Sequence, residues 1–394
     1  MAASGEKPYR VYKGGRQKGS VPLPGREREE RRGPRSTYRA GGDGSSRPRQ
    51  PRTRWTWKRW TLVTVLGLIV FFVIWGIAGY LSVRSGVSAA NRRLAPSAKS
   101  VLAKQNGLLL STPSNILLLG TDHSANSRAG RSSDRHSDSM MLLRTDPSRH
   151  RLTYLSIPRD LQVQIDGVSQ KINAAMQIGG PTLAIKTVDR LLGSQLQVNH
   201  VVVVDFGSFQ KLIDAVGGID VNVPENILSN RFDCPYSTQA RCQQWGGWRF
   251  HKGVTHMTGH EALIYSRIRE NRLDPAWTDF KRSQNQQAVM QATLSKLGSP
   301  GRFFSLPFNG SSLLAPISTD LSTFDFMQLA WVKFRAGQVV HCRLGGTAYG
   351  GNIVSTQENI QVVQEVLGNS APQPPAPGTG LYGPGCVTGN QTFK

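Results

Sequence analysis

Thr61 to Val83 is a run of 23 residues without a single charge, apolar all round. About 20 such residues cross a bilayer as a helix, and an amphipathic core helix would show a polar face that this run lacks. Trp55, Trp57 and Trp60 stand just before it, where an aromatic belt belongs. Beyond it the apolar runs shorten. Asn115–Leu119, Met140–Leu143 and His200–Val204 each predict a buried strand. Leu152–Asp160 (LTYLSIPRD) predicts another, which Pro158 stops because proline has no N–H for the ladder. Phe206, Phe209, Leu212, Ile213 and Val216 make a helical stripe closed by Gly217-Gly218. Helices are further predicted over Lys171–Ile178, Pro181–Leu192, Thr258–Arg267, Thr278–Leu297, Phe324–Phe334 and Thr356–Val366. Strands are predicted over Leu161–Ile165, Ile219–Val223 and Gln338–Leu344. Residues 224–257 read as irregular. Strands alternating with helices predict an α/β fold, a single extracytoplasmic domain with a central mixed β-sheet flanked by helices.

The chain thus divides into a basic tail (1–60), a transmembrane helix (61–83), a partly helical stalk (84–113), the α/β domain (114–368) and a Pro/Gly-rich C-terminal tail (369–394). The N-terminal tail carries 17 Lys/Arg against five Asp/Glu in a chain of net charge +23. It has too few apolar residues to offset the entropy of ordering. Positive charge before the span puts the N-terminus in the cytoplasm and the domain outside. A cleaved signal peptide fits poorly, since the basic and apolar stretches are both too long. The tail contains no nucleic-acid-binding module, and anionic lipid head groups account for its charge, so no nucleic acid is expected as a partner. All four cysteines, Cys234, Cys242, Cys342 and Cys386, follow the span. An even number in an oxidising compartment predicts disulfides. Of three possible pairings, Cys234–Cys242 as a local loop and Cys342–Cys386 as a pin for the tail are favoured.

Candidate chemistry sits where apolar runs end. The segments are Gly120-Thr121-Asp122, Arg135-His136-Ser137-Asp138, Pro158-Arg159-Asp160, Arg267-Ile268-Arg269 and Asp279-Phe280-Lys281-Arg282. Gln286 follows Arg282 by one helical turn and faces the same way. Arg267 and Arg269 straddle Ile268, so an extended backbone points both to one face. Several arginines with few acids need an anion between them, and the guanidinium fork suits phosphate oxygens. Asp122 and Asp138 at strand ends could hold Mg²⁺ together with substrate phosphates. Taken singly, each residue is more often a surface charge, so the reading depends on convergence.

These stretches resemble the LytR-CpsA-Psr family of cell-envelope phosphotransferases. The resemblance rests on NILLLGTD, the SD of RHSDSMMLL, LSIPRD, QKINAAMQIGG, VVVVDFGSFQKLIDAVGGIDVNV, MTGHEALIYSRIR and DFKRSQNQQ, in that order across residues 114–297. It implies a membrane-anchored enzyme. Such an enzyme moves a glycopolymer from a polyprenyl-pyrophosphate lipid to an envelope acceptor, typically a hydroxyl on peptidoglycan, with a pyrophosphatase side activity. It also implies an apolar pocket for the lipid tail. Asp122 and Asp138 would bind Mg²⁺ or Mn²⁺, one of them acting as base. Arg159 would serve catalysis, and Arg159, Arg267, Arg269, Arg282 and Gln286 would hold the pyrophosphate. Two positions depart from the family pattern. His136 stands where an arginine is usual, with Arg135 beside it; both are counted with the pyrophosphate-binding set, and the histidine would bring pH dependence near neutrality. Asn285 stands where a second arginine often follows Arg282. These departures keep open a non-catalytic binder of polyprenyl phosphate or glycan. A membrane-bound transcriptional attenuator is a third reading. Lys171 and Asn173 are assigned local structural roles, and Asp160 is expected to orient Arg159.

Overall fold

A computed structural model of the protein describes residues 57–121, 137–277, 279–297, 299, 306–315 and 317–389. The charge-free run lies inside α1 (Trp57–Arg93), the one described helix long and apolar enough to cross a membrane. The helix continues beyond the apolar run, so the stalk begins as helix. A single turn, α2 (Pro96–Lys99), precedes β1 (Ser114–Thr121), β2 (Ser137–Asp146) and β3 (Arg151–Ile157). The hairpin β4 (Gln162–Ile165) and β5 (Val168–Lys171) leads to α3 (Ala174–Leu192), β6 (His200–Asp205), α4 (Phe206–Ala215) and β7 (Ile219–Val223). Then come β8 (Ile227–Leu228), α5 (Gln239–Gln244), β9 (Arg249–Phe250), β10 (Gly253–Met257), α6 (Gly259–Arg267) and α7 (Asp279–Leu297). The chain closes with α8 (Leu306–Leu314), β11 (Ile317–Thr319), α9 (Thr323–Arg335), β12 (Gln338–Arg343), β13 (Gly346–Tyr349), β14 (Asn352–Ser355), α10 (Glu358–Leu367) and β15 (Gly385–Thr388).

Seven strands form the central sheet in the order β11-β6-β1-β2-β3-β12-β15. β1 pairs parallel with β6 and antiparallel with β2, and β3 pairs parallel with β12, so the sheet is mixed. Every residue of β1 is buried. Successive side chains point to opposite faces of a strand, and both faces here are covered. Leu117 and Leu119 join a core with Ile185 and Val188 of α3 and Val362 and Val366 of α10. Ile116 and Leu118 face the other way, towards Met290 and Leu294 of α7 and Val332 of α9. A second apolar cluster joins α4, α6 and α7 to the β7–β10 hairpin. Across the sheet Met140 stands opposite Ile157, Gly120 opposite Val204 and Arg343 opposite Ser156. The carboxyl ends of β1, β3, β6 and β12 and the start of β2 therefore share one edge.

Four local differences from the sequence reading have physical causes. Lys171 closes β5 rather than opening a helix, which starts at Ala174. Gly179 and Gly180 are non-helical inside α3, so the break before Pro181 is a kink between two packed segments. Gly253–Met257, read as irregular, forms the full partner of β7. The stretch between α7 and α9 contributes a helix and an edge strand.

Both favoured disulfides are present, Cys234–Cys242 and Cys342–Cys386. The second joins opposed residues of β12 and β15, so the Pro/Gly-rich stretch read as a tail supplies an edge strand. Replacing Cys342 and Cys386 together by alanine should cost about 4 kcal/mol in chemical unfolding, from loop-closure entropy over 44 residues. The Cys234–Cys242 pair closes only eight residues and should cost about 2.5 kcal/mol on the same relation. Equal losses would show that loop length does not govern their contribution.

Candidate active site

Arg159 stands at the shared edge, and the helix carrying Arg282 lies over it. Arg159 lies two residues past β3, its side chain 15% exposed, with Nε donating to Asp160 Oδ2 at 3.3 Å. Lys171 Nζ donates to the other oxygen of Asp160 at 2.7 Å. The Arg159 carbonyl accepts the Asn173 N–H at 3.2 Å, tying the tip of β3 to the start of α3. Asp160 thus holds Arg159 in place, and the KIN residues serve that loop.

α7 lies over the same edge. Gln287 Nε2 donates to Ser156 Oγ near the end of β3. On the adjacent turn Arg282, Asn285 and Gln286 are all buried, at 2%, 3% and 5% exposure. A buried guanidinium is costly unless an anion or acceptor meets it. Asn285 Nδ2 donates to the Tyr265 carbonyl at 3.3 Å, fixing the end of α6 against α7. The departure at position 285 is thereby explained locally: the amide links two helices. Gln286 Oε1 is buried without a hydrogen-bond partner among the described residues.

α6 begins with a capping box, Thr258 with Glu261, and ends at Arg267. Ile268 is fully buried while Arg267 and Arg269 are exposed, as the straddling pattern requires. Arg267 Nη1 donates to Asp233 Oδ2, and its guanidinium lies 6.0 Å from the centre of the Phe232 ring. Asp233 adjoins the Cys234–Cys242 loop. That partnership was invisible in sequence, because the two residues lie 34 positions apart.

Asp122, Arg135 and His136 lie outside the described residues, as does the side chain of Asp138. The backbone beside the two aspartates is informative: Thr121, which precedes Asp122, pairs with Ser137, which precedes Asp138. The ladder shifts register between Gly120 and Thr121, a bulge of the kind that re-aims side chains at sheet ends.

Behind this edge is an apolar cavity of about 450 Å³ between the sheet and α4, α7, α8 and α9. Gly120, Ser139, Ser266 and Gln286 line it on the side of the charged edge, and Leu118, Met290 and Leu294 are among its apolar wall residues. The walls exclude water strongly enough to raise the Tyr154 hydroxyl above its ordinary value by burial. Burial likewise lowers the Lys333 ammonium, whose Nζ donates to the carbonyls of Leu294 and Ser295 at 2.6 and 3.1 Å. Beside the edge, burial pushes Arg343 down to about 10, and its Nε donates to the Gly383 carbonyl. The sequence carried one signal for the cavity: Gln286, Val289, Met290, Thr293, Leu294 and Leu297 form a helical stripe on α7.

The site therefore combines a charged sheet edge with an apolar cavity. The LytR_cpsA_psr family model matches residues 77–365. The polyisoprenyl-teichoic acid–peptidoglycan teichoic acid transferase TagU of Bacillus cereus is 33% identical over 272 residues, 68% of this chain and 79% of that protein. The corresponding TagV of Bacillus subtilis is 31% identical over 245 residues, 60% of this chain and 58% of that protein. The crystal structure of B. subtilis TagV matches with TM-score 0.51 and 26% identity, over 66% of this chain and 98% of that one. A structure of TagT bound to LIIa-WTA shares the fold at TM-score 0.52 and 24% identity, over 67% and 94%. This chain belongs to the LytR-CpsA-Psr family.

Gln286→Met should leave unfolding free energy within about 0.5 kcal/mol, because the amide oxygen gives up no partner among the described residues. A loss beyond about 2 kcal/mol would mean that Gln286 holds the fold rather than a ligand.

Proposed function

We propose that this protein is a membrane-anchored phosphotransferase. In this reading it moves a glycopolymer from a polyprenyl-pyrophosphate carrier to an envelope acceptor, peptidoglycan above all. The observation that carries the reading is the apolar cavity behind an arginine-rich sheet edge. The substrate has the same two parts, a long hydrocarbon chain and a pyrophosphate. TagU and TagV, by name, transfer teichoic acid from a polyisoprenyl carrier to peptidoglycan. α1 would anchor the chain in the bacterial cytoplasmic membrane with the N-terminus inside and the α/β domain outside.

The polyprenyl chain would lie in the cavity, its pyrophosphate reaching the edge near Gln286. Arg159, steadied by Asp160 and Lys171, would meet the pyrophosphate from the sheet. Arg282 and Gln286 would meet it from α7, and Arg267 and Arg269 from the end of α6. The acceptor hydroxyl oxygen would attack the sugar-linked phosphorus. A new P–O bond forms, the P–O bond to the bridging oxygen breaks, and polyprenyl phosphate leaves with that oxygen. In such transfers positioning and neutralisation of developing charge supply most of the acceleration. Water attacking in place of the acceptor would give the pyrophosphatase side activity.

Asp122 and Asp138 would hold Mg²⁺ or Mn²⁺. Two carboxylates beside a phosphate suit a hard cation, and the Thr121–Ser137 pairing supports their nearness. When bound, the ion would neutralise phosphate charge and favour loss of the acceptor proton. Asp122 or Asp138 would take that proton.

Incubating the full chain in detergent with polyprenyl-pyrophosphate-linked sugar and Mg²⁺ should release polyprenyl phosphate. Arg159→Ala and Asp138→Ala should each lower the rate about 10²-fold or more. Tight lipid binding with no turnover in the unaltered protein would instead favour a non-catalytic binder.

A further inference from the structure

A surface helix normally turns its apolar stripe inward and its polar face outward. α9 breaks that rule. Its exposed residues are Phe324, Met327, Ala330, Trp331, Phe334 and, at its end, Arg335. Phe324, Met327 and Trp331 are each more than half exposed, and Phe334 nearly three-quarters. At 3.6 residues per turn these four large side chains fall within an arc of about 80°. The Trp331 and Phe334 rings lie 5.8 Å apart, so the stripe is continuous at that end. The inward side of the same helix, Phe326, Leu329 and Lys333, lines the apolar cavity. α9 is thus apolar on both sides, one towards the chamber and one towards the surroundings.

The surroundings are identified by what holds this segment. Asn91 of α1 donates to the carbonyl of Leu321, two residues before α9 starts, at 2.7 Å. Arg93 of α1 donates to the carbonyls of Leu314 and Ile317 at 2.8 and 2.6 Å. Asn91 follows the last residue of the apolar run by eight positions, about 12 Å along the helix. α8 packs on the run itself. A Cβ on Gly310 would stand 2.9 Å from Val83 Cγ2, and one on Gly86 would stand 2.9 Å from the Ser311 Cα. Phe308 of α8, 72% exposed, meets Trp75 inside the run at 5.4 Å between ring centres. Val83, the last residue of the run, shares the cavity wall with Met327 of α9. The segment leading into α9 is therefore fastened to the membrane-proximal part of α1 at α8, at the start of β11 and at Leu321.

We propose that the outer face of α9 rests in the outer leaflet of the bilayer and forms the portal through which a lipid chain passes from membrane to cavity. The proposal rests on reading α1 as a membrane span, as above. Trp331, the phenylalanines and Arg335 are the residue types that settle at a bilayer interface. A long hydrocarbon chain would otherwise cross water to reach the chamber, at a cost that grows with every exposed CH₂. With α9 seated in the leaflet, it moves from one apolar medium to another past Met327.

The test uses the full chain in phosphatidylglycerol/phosphatidylcholine vesicles, with and without brominated acyl chains. The fluorescence contributed by Trp331 is read as the difference between the unaltered protein and Trp331→Phe. Bromolipid should remove most of that difference, and aqueous acrylamide should remove little of it. A Trp331 signal open to acrylamide and indifferent to bromolipid would overturn the proposal. So would a signal shielded from both, which would mean that protein covers the stripe. The readout needs no turnover, so failure of the proposed transfer activity would leave it interpretable. As a functional arm, Trp331→Glu with Phe334→Glu should slow release of polyprenyl phosphate from vesicle-borne substrate at least several-fold. Turnover of a short-chain, water-soluble analogue should stay unchanged. Equal loss on both substrates would place the defect in the catalytic edge and contradict a portal.

Discussion

A sheet buried on both faces leaves charged groups room only at its ends. β1 has no exposed residue, and its neighbours alternate between two apolar cores, so a charge along their length would meet hydrocarbon on either side. The mixed pairing then does the sorting. Parallel contacts of β1 with β6 and of β3 with β12 bring four carboxyl ends to one edge, and antiparallel β2 starts there too. Arg159 and Thr121, distant in sequence, are brought to that edge by the register. The helices that cover the edge complete the set, because the buried turn of α7 with Arg282 and Gln286 is seated on β3 through Gln287 and Ser156.

The same double burial makes the cavity possible. The side chains of Ile116, Leu118, Val202 and Tyr154 project from one face of the sheet, and α7 and α9 stand off from them far enough to leave about 450 Å³. The ligand proposed above has a hydrocarbon chain for this cavity and a pyrophosphate for Arg159 and Arg282. Membership of the LytR-CpsA-Psr family and the named transfer activities of TagU and TagV agree with that inference.

The apolar strands, the membrane run and the positions of the charged segments were legible in the sequence because each rests on local periodicity or an abrupt change of residue type. Features that depend on partners distant in sequence were less legible. Gly253–Met257 becomes a strand because β7 lies beside it, and Gly385–Thr388 because β12 does. Asp233 meets Arg267 across 34 positions of sequence. Asn285 looked like a missing charge in the sequence, but its amide is a link between α6 and α7. The cavity was the least legible, since volume depends on the spacing of layers rather than on which residues compose them. Asp122, Arg135 and His136 lie outside the described residues, so their part in the site is carried by the sequence and the family.

In the proposed reading the chamber behind the sheet edge holds the hydrocarbon chain of a phosphorylated lipid. The most direct measurement is photo-crosslinking of the full chain with a polyprenyl phosphate carrying a diazirine within its isoprenoid chain, followed by mass mapping of the labelled peptides. The account predicts labels on the inner faces of α7 and α9, at Met290, Leu294 or Leu329, competed away by unlabelled polyprenyl phosphate. Labels confined to α1, or uncompeted labels spread over the surface, would contradict it.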